Sequence, residues 1–354
     1  MINQNYDYLK RRYLEYWNKE NHDRPLLSIY AQKINISPIE IKHPQSNIDR
    51  WMDTEYILKT NRVNITNTYY GGEAFPILNP NLGPDILGAI AGCDIEFGKD
   101  TSWAVHNVKD WKTHEKLKFD TANKWWKKIK EITQAAISDS NGDYLVGITD
   151  LHPGTDGLVS LRGPQELCMD IYDYPEQITQ RTNELFEIYK IVLNELNQII
   201  SKKQEGSTNW MGILHPEKKW YVTSSDFSCL ISKENFEQFV IPGIRSELEV
   251  LDASIYHLDG PSALKHLDRL LEIPNLNGIQ WVYGAGQPSA RYWIDTLKKI
   301  QKAGKLIQIN IEEDDLKPLC EALEPEGVHF SCYSSDEEQA KEMVKMVEDI
   351  YRNK

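Results

Sequence analysis

Short apolar runs alternate with helix-length amphipathic segments along most of this 354-residue chain, a rhythm that few architectures accommodate. The runs fall at 26–31, 92–97, 144–150, 209–215, 254–258, 278–283, 305–311 and 327–332. Most are apolar nearly throughout rather than at every second residue, the pattern of strands covered on both faces of a parallel sheet. The longest helical segment, 176–201, carries Leu185, Ile188, Tyr189, Val192, Leu193 and Leu196 on one stripe. Eight parallel strands joined by helical crossovers predict an α/β fold, a (β/α)8 TIM barrel. The rival is an open doubly wound sheet, which needs a glycine-rich turn after an early strand, and GxGxxG is absent. Residues 1–354 read as a single domain. Its main barrel spans 121–354, and 1–120 form an N-terminal extension that includes the first strands and packs on the barrel. Helices are expected at 5–20 and 49–61, and the last, 336–351, opens on the capping-box pattern Ser335-x-x-Glu338.

Charge narrows the function. Acidic residues number 53 and basic ones 40, a net charge of −13 that repels nucleic-acid phosphates and anionic lipid. Neither nucleic acid nor a membrane surface is expected as a partner. No apolar run approaches the roughly 20 residues of a membrane span, and the first residues lack the apolar core of a secretory signal. Five cysteines, an odd number without a CxxC pair, point to reduced thiols and a cytoplasmic location.

A barrel carries its active site at the C-terminal strand ends. Here those ends read Asp150-Leu151-His152, His215, Tyr256-His257-Leu258-Asp259-Gly260, Trp281-Val282-Tyr283 with Gln287 beyond, Asn310, and Ser331-Cys332-Tyr333. His257 and Asp259 are two apart on a strand and so share a face. An imidazole beside a carboxylate binds a metal or forms an acid–base pair, and sequence leaves both open. Cys332 is a buried hydrophobe or, facing the mouth, a soft ligand. Asp226 is a solvated cap or a carboxylate aimed inward. Glu73, among glycines and aromatics in Gly71-Gly72-Glu73-Ala74-Phe75-Pro76, is expected to have a raised pKa if buried. The candidate catalytic set is therefore His257, Asp259, His152, Asp226 and Glu73. Tyr256, Trp281, Tyr283, Gln287, Asn310 and Trp103 are the candidate substrate contacts, with Trp210 and Trp220 further aromatics for a cleft.

Three stretches between residues 144 and 351 carry a family likeness. The strand ending Gly147-Ile148-Thr149-Asp150 precedes Arg162-Gly163-Pro164-Gln165-Glu166-Leu167 and then Asp170-Ile171-Tyr172-Asp173-Tyr174-Pro175-Glu176. Asp226-Phe227 is followed by Ile231-Ser232-Lys233-Glu234-Asn235-Phe236 and Pro242, and Ile255-Tyr256-His257-Leu258-Asp259-Gly260 ends a strand. In this order they resemble the uroporphyrinogen decarboxylase superfamily, and the resemblance implies a TIM barrel. True uroporphyrinogen decarboxylases hold their poly-anionic substrate with arginines on the first strand. Ser28-Ile29-Tyr30-Ala31-Gln32 has none, so the branch implied is that of the corrinoid- or cobalamin-linked methyltransferases. Such an enzyme moves a methyl group between a small methylated compound or methyl-corrinoid and an acceptor, with the corrinoid on a partner protein. The members with thiol acceptors bind zinc through His-x-Cys and a later Cys. His257 and Cys332 match by position, while Asp259 replaces the first cysteine. A zinc site would comprise His257, Cys332 and Asp259, completed by Glu73 or Asp226. The alternatives are a metal-free acid–base site, a decarboxylase or lyase acting on a small carboxylated or aromatic compound, and a non-catalytic small-molecule-binding barrel.

Overall fold

The computed structural model of the chain describes residues 5–36 and 40–353. In chain order its strands are β1 (Leu26–Gln32), β2 (Thr68–Gly72), β3 (Ile77–Leu78), β4 (Asp94–Phe97), β5 (Ser102–Val105), β6 (Leu145–Val146), β7 (Trp220–Ser224), β8 (Ala253–Asp259), β9 (Gly278–Val282), β10 (Leu306–Asn310) and β11 (Val328–Tyr333). Seven form one sheet in the order β2-β1-β11-β10-β9-β8-β7. Its neighbours run parallel, except β2, which lies antiparallel on β1. β3 and β6 make a separate parallel pair, and β4 and β5 an antiparallel hairpin. The architecture is thus mixed α/β with a mostly parallel seven-stranded sheet, and the strand ladder does not run as a closed ring. Among the described residues no helix is long and apolar enough to cross a membrane.

The expected strands at 254–258, 278–283, 305–311 and 327–332 appear within two residues of their limits as β8 to β11. Two others are corrected. Residues 92–97 alternate: Asp94 and Glu96 face solvent while Ile95 is buried, the mark of a half-covered hairpin rather than a buried parallel strand. Residues 209–215 hold only isolated bridges, because Gly212 sits at φ 70°, outside extended backbone, and the strand forms instead at Trp220–Ser224. The 144–150 strand shrinks to β6 plus a single bridge from Ile148 to Asn209. The helix expected at 49–61 is two helices, Asn47–Met52 and Thr54–Asn67, with Asp53 capping the second. Asp336, not Ser335, caps the last helix, Glu337–Arg352.

The aromatic richness is largely core. Trp111, Trp220 and Trp281 are fully buried, and one continuous set of buried apolar side chains runs from Leu9 to Val347. The N-terminal helix Tyr6–Asn18 turns Tyr13, Tyr16 and Trp17 onto that core. Its Arg12 reaches the opposite end of the sheet from the strand C-termini, where Glu73 sits. Glu73 is wholly buried and accepts from Tyr8 Oη (2.7 Å), Arg12 Nε (3.2 Å), both Arg24 terminal nitrogens (2.9 and 2.7 Å) and Leu27 N (2.9 Å). Gly72 lets the chain enter this cage: a Cβ there would lie 2.0 Å from the Leu27 carbonyl oxygen, and its φ is 60°.

Candidate active site at the strand C-termini

Register explains how the site is assembled. Ser224 pairs with His257, His257 with Gln280, Gln280 with Gln308, and Gln308 with His329. Side chains in one register row share a face, so five consecutive strands contribute one polar band. Asp259 and Asn310 continue this face toward the strand ends. Residues of the other parity face the opposite side. Tyr256 and Trp281 are therefore packed away from the mouth, with Trp281 set edge-on against Trp293, and neither lines a mouth cavity.

Two imidazoles flank one indole. The Trp210 ring centroid lies 5.2 Å from that of His257, edge to face, and 6.2 Å from that of His152. The fully buried Tyr221 on β7 fixes the segment before His152: its hydroxyl accepts from Leu151 N and donates to Thr149 O, both at 2.6 Å. His152 Nδ1 is 2.6 Å from Ser224 Oγ, and Nε2 is 2.7 Å from Asp150 Oδ1. Burial disfavours the imidazolium, but Asp150 at this distance outweighs it, with help from Asp156 and Asp226, and the His152 pKa rises to about 10. His152 is a cation at neutral pH.

His257 Nδ1 meets Gln280 Oε1 on the neighbouring strand in a short hydrogen bond. Because that oxygen only accepts, Nδ1 carries the proton, and in the neutral ring the lone pair lies on Nε2. Nε2 lies 4.0 Å from Asp226 Oδ1. Asp226, His257 and Asp259 each bring a ligand atom to within 4.8 Å of the others. Asp226 opens a short helical turn after β7. Its N–H and that of Phe227 donate to the two Asp156 oxygens at 2.9 Å. Burial, then Asp226, push Asp156 up to about 6, against the pull of His152 and those two N–H donors. Burial also raises Asp259, with His257 opposing and Asp226 adding to the rise.

Cys332 stands apart from this cluster. It is one residue out of phase with the polar row, and burial, then Glu313, push its thiol up to about 12. Glu73 is remote as well, and the expected direction of its shift is reversed. Burial alone raises a carboxyl, but Arg24, Arg12 and the Leu27 N–H overcome it and hold Glu73 at about 2. Trp103 lies half-exposed on the β4–β5 hairpin against Glu96, Gln287 is an exposed loop residue, and Tyr283 lines neither mouth cavity.

Two cavities lie beside the His152–Trp210 ring contact, His152 lining one and Trp210 the other. One, about 300 Å³, includes Asp85, His152, Asp156 and Asp226. The other, about 440 Å³, includes Trp210, Gln280, Asn310 and Cys332. Sequence reading did not select Asp150, Asp156, Ser224 or Gln280. Asp150 stood two residues before a chosen histidine, whereas Gln280, inside an apolar run, gave a signal only through its odd polarity.

No protein-family model matches the sequence, and no curated protein matches it. Among solved structures, a methyltransferase from Methanosarcina mazei shares the fold, with a TM-score of 0.62 over 97% of this chain and 99% of that one. Sequence identity is 13%, so the likeness concerns the fold.

Proposed function

We propose that the chain is a methyltransferase of the uroporphyrinogen decarboxylase-like, corrinoid-linked type, acting in the cytoplasm. The observation that carries this reading is the convergence of His152, Asp226, His257 and Asp259 at the C-terminal strand ends of a chain built like a methyltransferase. On this reading the sheet closes into a barrel through β3, β6 and residues 207–209. In support, Leu145 N bonds Pro76 O, Gly147 N bonds Leu78 O, Ile148 N bonds Thr208 O, and Trp220 N bonds Ser207 Oγ.

The donor set suits a divalent metal. His257 offers an Nε2 lone pair fixed by Gln280, and Asp226 and Asp259 flank it with carboxylates. These three residues, rather than Cys332, would hold zinc, which when bound lowers the pKa of a coordinated thiol or water. Gln280 orients the His257 ring. His152, held charged by Asp150, gives the mouth a cation beside three carboxylates. The same cation would hold a substrate carboxylate, which is what favours a decarboxylase or lyase as the second reading.

The test is methyl transfer by the purified chain with a corrinoid protein and a panel of methylated donors, alongside metal analysis. Turnover that disappears in His257→Ala, with about one zinc per chain in the parent, supports the proposal. No turnover with any donor, but release of carbon dioxide from a carboxylated one, moves the assignment to the second reading. No turnover of either kind leaves a binding protein.

A further inference from the structure

Two short turns at the C-terminal end of the sheet are tied to each other. Asp226 opens the turn Asp226–Leu230 after β7, and its side chain is more than half exposed. So short a 3-10 turn has few hydrogen bonds of its own, and its place depends on what holds it from outside. Asp156 holds its head through the Asp226 and Phe227 N–H groups. The turn Pro261–His266 holds its tail: His266 Nε2 lies 2.9 Å from the Ser228 carbonyl oxygen, and Lys265 Nζ donates to that of Cys229 at 3.0 Å. This second turn follows directly on Asp259-Gly260, and Gly260 N donates to Val282 O on β9 at 2.9 Å. One segment, 259–266, thus carries one carboxylate at its start and grips the turn of the other at its end.

His266 is 1% exposed and lies flat on Phe236, with ring centroids 4.0 Å and planes 16° apart. Because a carbonyl only accepts, Nε2 carries the proton. Burial lowers the pKa of the ring, against the Ser228 hydrogen bond and with Lys265 and Lys233 adding to the fall, so the ring is neutral and Nδ1 bears a lone pair. That Nδ1 is buried without a hydrogen-bond partner among the described residues. A Phe or Leu would fill the same slot without burying an unpaired nitrogen, so packing does not account for the imidazole, whereas its bond to Ser228 does. We propose that His266 is a positioning residue: through the Ser228 carbonyl, and together with Lys265, it sets how closely Asp226 approaches His257 and Asp259. That the gathered groups hold a metal rests on the zinc reading, and the grip itself does not.

Amide hydrogen exchange and cobalt(II) titration of the full chain test this without any turnover. His266→Leu removes the donor, and His266→Gln returns an N–H in its place. In His266→Leu the Asp226 and Phe227 amides are expected to exchange about tenfold faster while those of β9 keep the parent's rates, and cobalt(II) to bind about tenfold more weakly. His266→Gln is expected to recover most of both. Lys265 is exposed, so Lys265→Ala leaves folding intact and is expected to speed the same two amides about threefold. Unchanged exchange in His266→Leu, or in Lys265→Ala should the leucine chain not fold, would overturn the proposal. So would a glutamine variant as impaired as the leucine one, or faster exchange with cobalt(II) affinity unmoved. A parent chain that takes up no cobalt(II) would sink the zinc reading and leave the exchange rates to decide the grip.

Discussion

Carboxylates at the two ends of the sheet are treated in opposite ways. At the N-terminal end Glu73 has five hydrogen-bond contacts and two guanidinium neighbours, and its pKa falls to about 2. At the C-terminal end Asp156 and Asp259 share too little positive charge and both rise. The first end spends its polar groups on one another. The second leaves lone pairs and an imidazolium available, the state that a reacting or binding group needs. Satisfied charges at one end hold the scaffold, while those at the other are left open to a ligand or a reactant.

The sharpest way to break this comparison is Glu73→Ala. It leaves Arg12 and Arg24 buried without their shared partner and is expected to cost about 3–5 kcal/mol in denaturant unfolding. A cost below about 1 kcal/mol would show that the cage is not structural. His257→Ala should reverse the pattern, with activity reduced about a hundredfold or more while the unfolding midpoint barely moves. A midpoint shift as large as that of Glu73→Ala would erase the distinction between the two ends.

The two ends also fail at opposite pH. Glu73 is depressed from 4.5 to about 2, so the stability it adds, about 3 kcal/mol, is present above 4.5 and lost as pH falls toward 2. His152 is raised from 6.5 to about 10, so its contribution is complete below 6.5 and lost as pH climbs through 10. Unfolding followed across pH should show an acid limb absent in a Glu73→Gln variant that still folds and an alkaline limb absent in Asp150→Asn. Limbs that survive these changes would assign them elsewhere. Gln280→Leu frees the His257 ring and should lower activity by about tenfold, with Gln280→Glu recovering part of it. Smallest of all is Cys332→Ser, expected to change zinc content not at all and activity less than twofold, because the thiol lies outside the carboxylate–imidazole cluster. Loss of metal in that variant would restore Cys332 as a ligand.

The second half of the sheet was readable because β8 to β11 are short runs of strongly strand-forming residues bounded by helices. Residues 92–97 misled because a hairpin can be apolar enough to pass for a buried strand unless the alternation of Asp94 and Glu96 is weighed. The strand ends bring His152, Asp226, His257 and Asp259 near one another, since a parallel sheet gathers such ends whatever their spacing in sequence. Parity was applied to His257 and Asp259 but not to the aromatic residues beside them. Tyr256 and Trp281 are one residue out of phase with His257 and Gln280, and one step along a strand changes the face. Gln280 lies 23 residues from its partner His257, and no local pattern records that contact. Glu73 misled for a related reason: Arg12 and Arg24, which set its charge state, are 61 and 49 residues away.

The pairing of β1 with β11 has a consequence for how the molecule is made. Ser28 and His329, hydrogen-bonded across that seam, are separated by 301 residues. A chain emerging from the ribosome holds β1 ready long before its parallel neighbour exists, and closing so long a loop is entropically slow. Until β11 arrives, one edge of β1 and one edge of β10 offer unpaired backbone groups to any passing strand. Shortening the chain by its last strand is therefore expected to yield an aggregation-prone species rather than a smaller folded protein, which light scattering of the truncated chain checks.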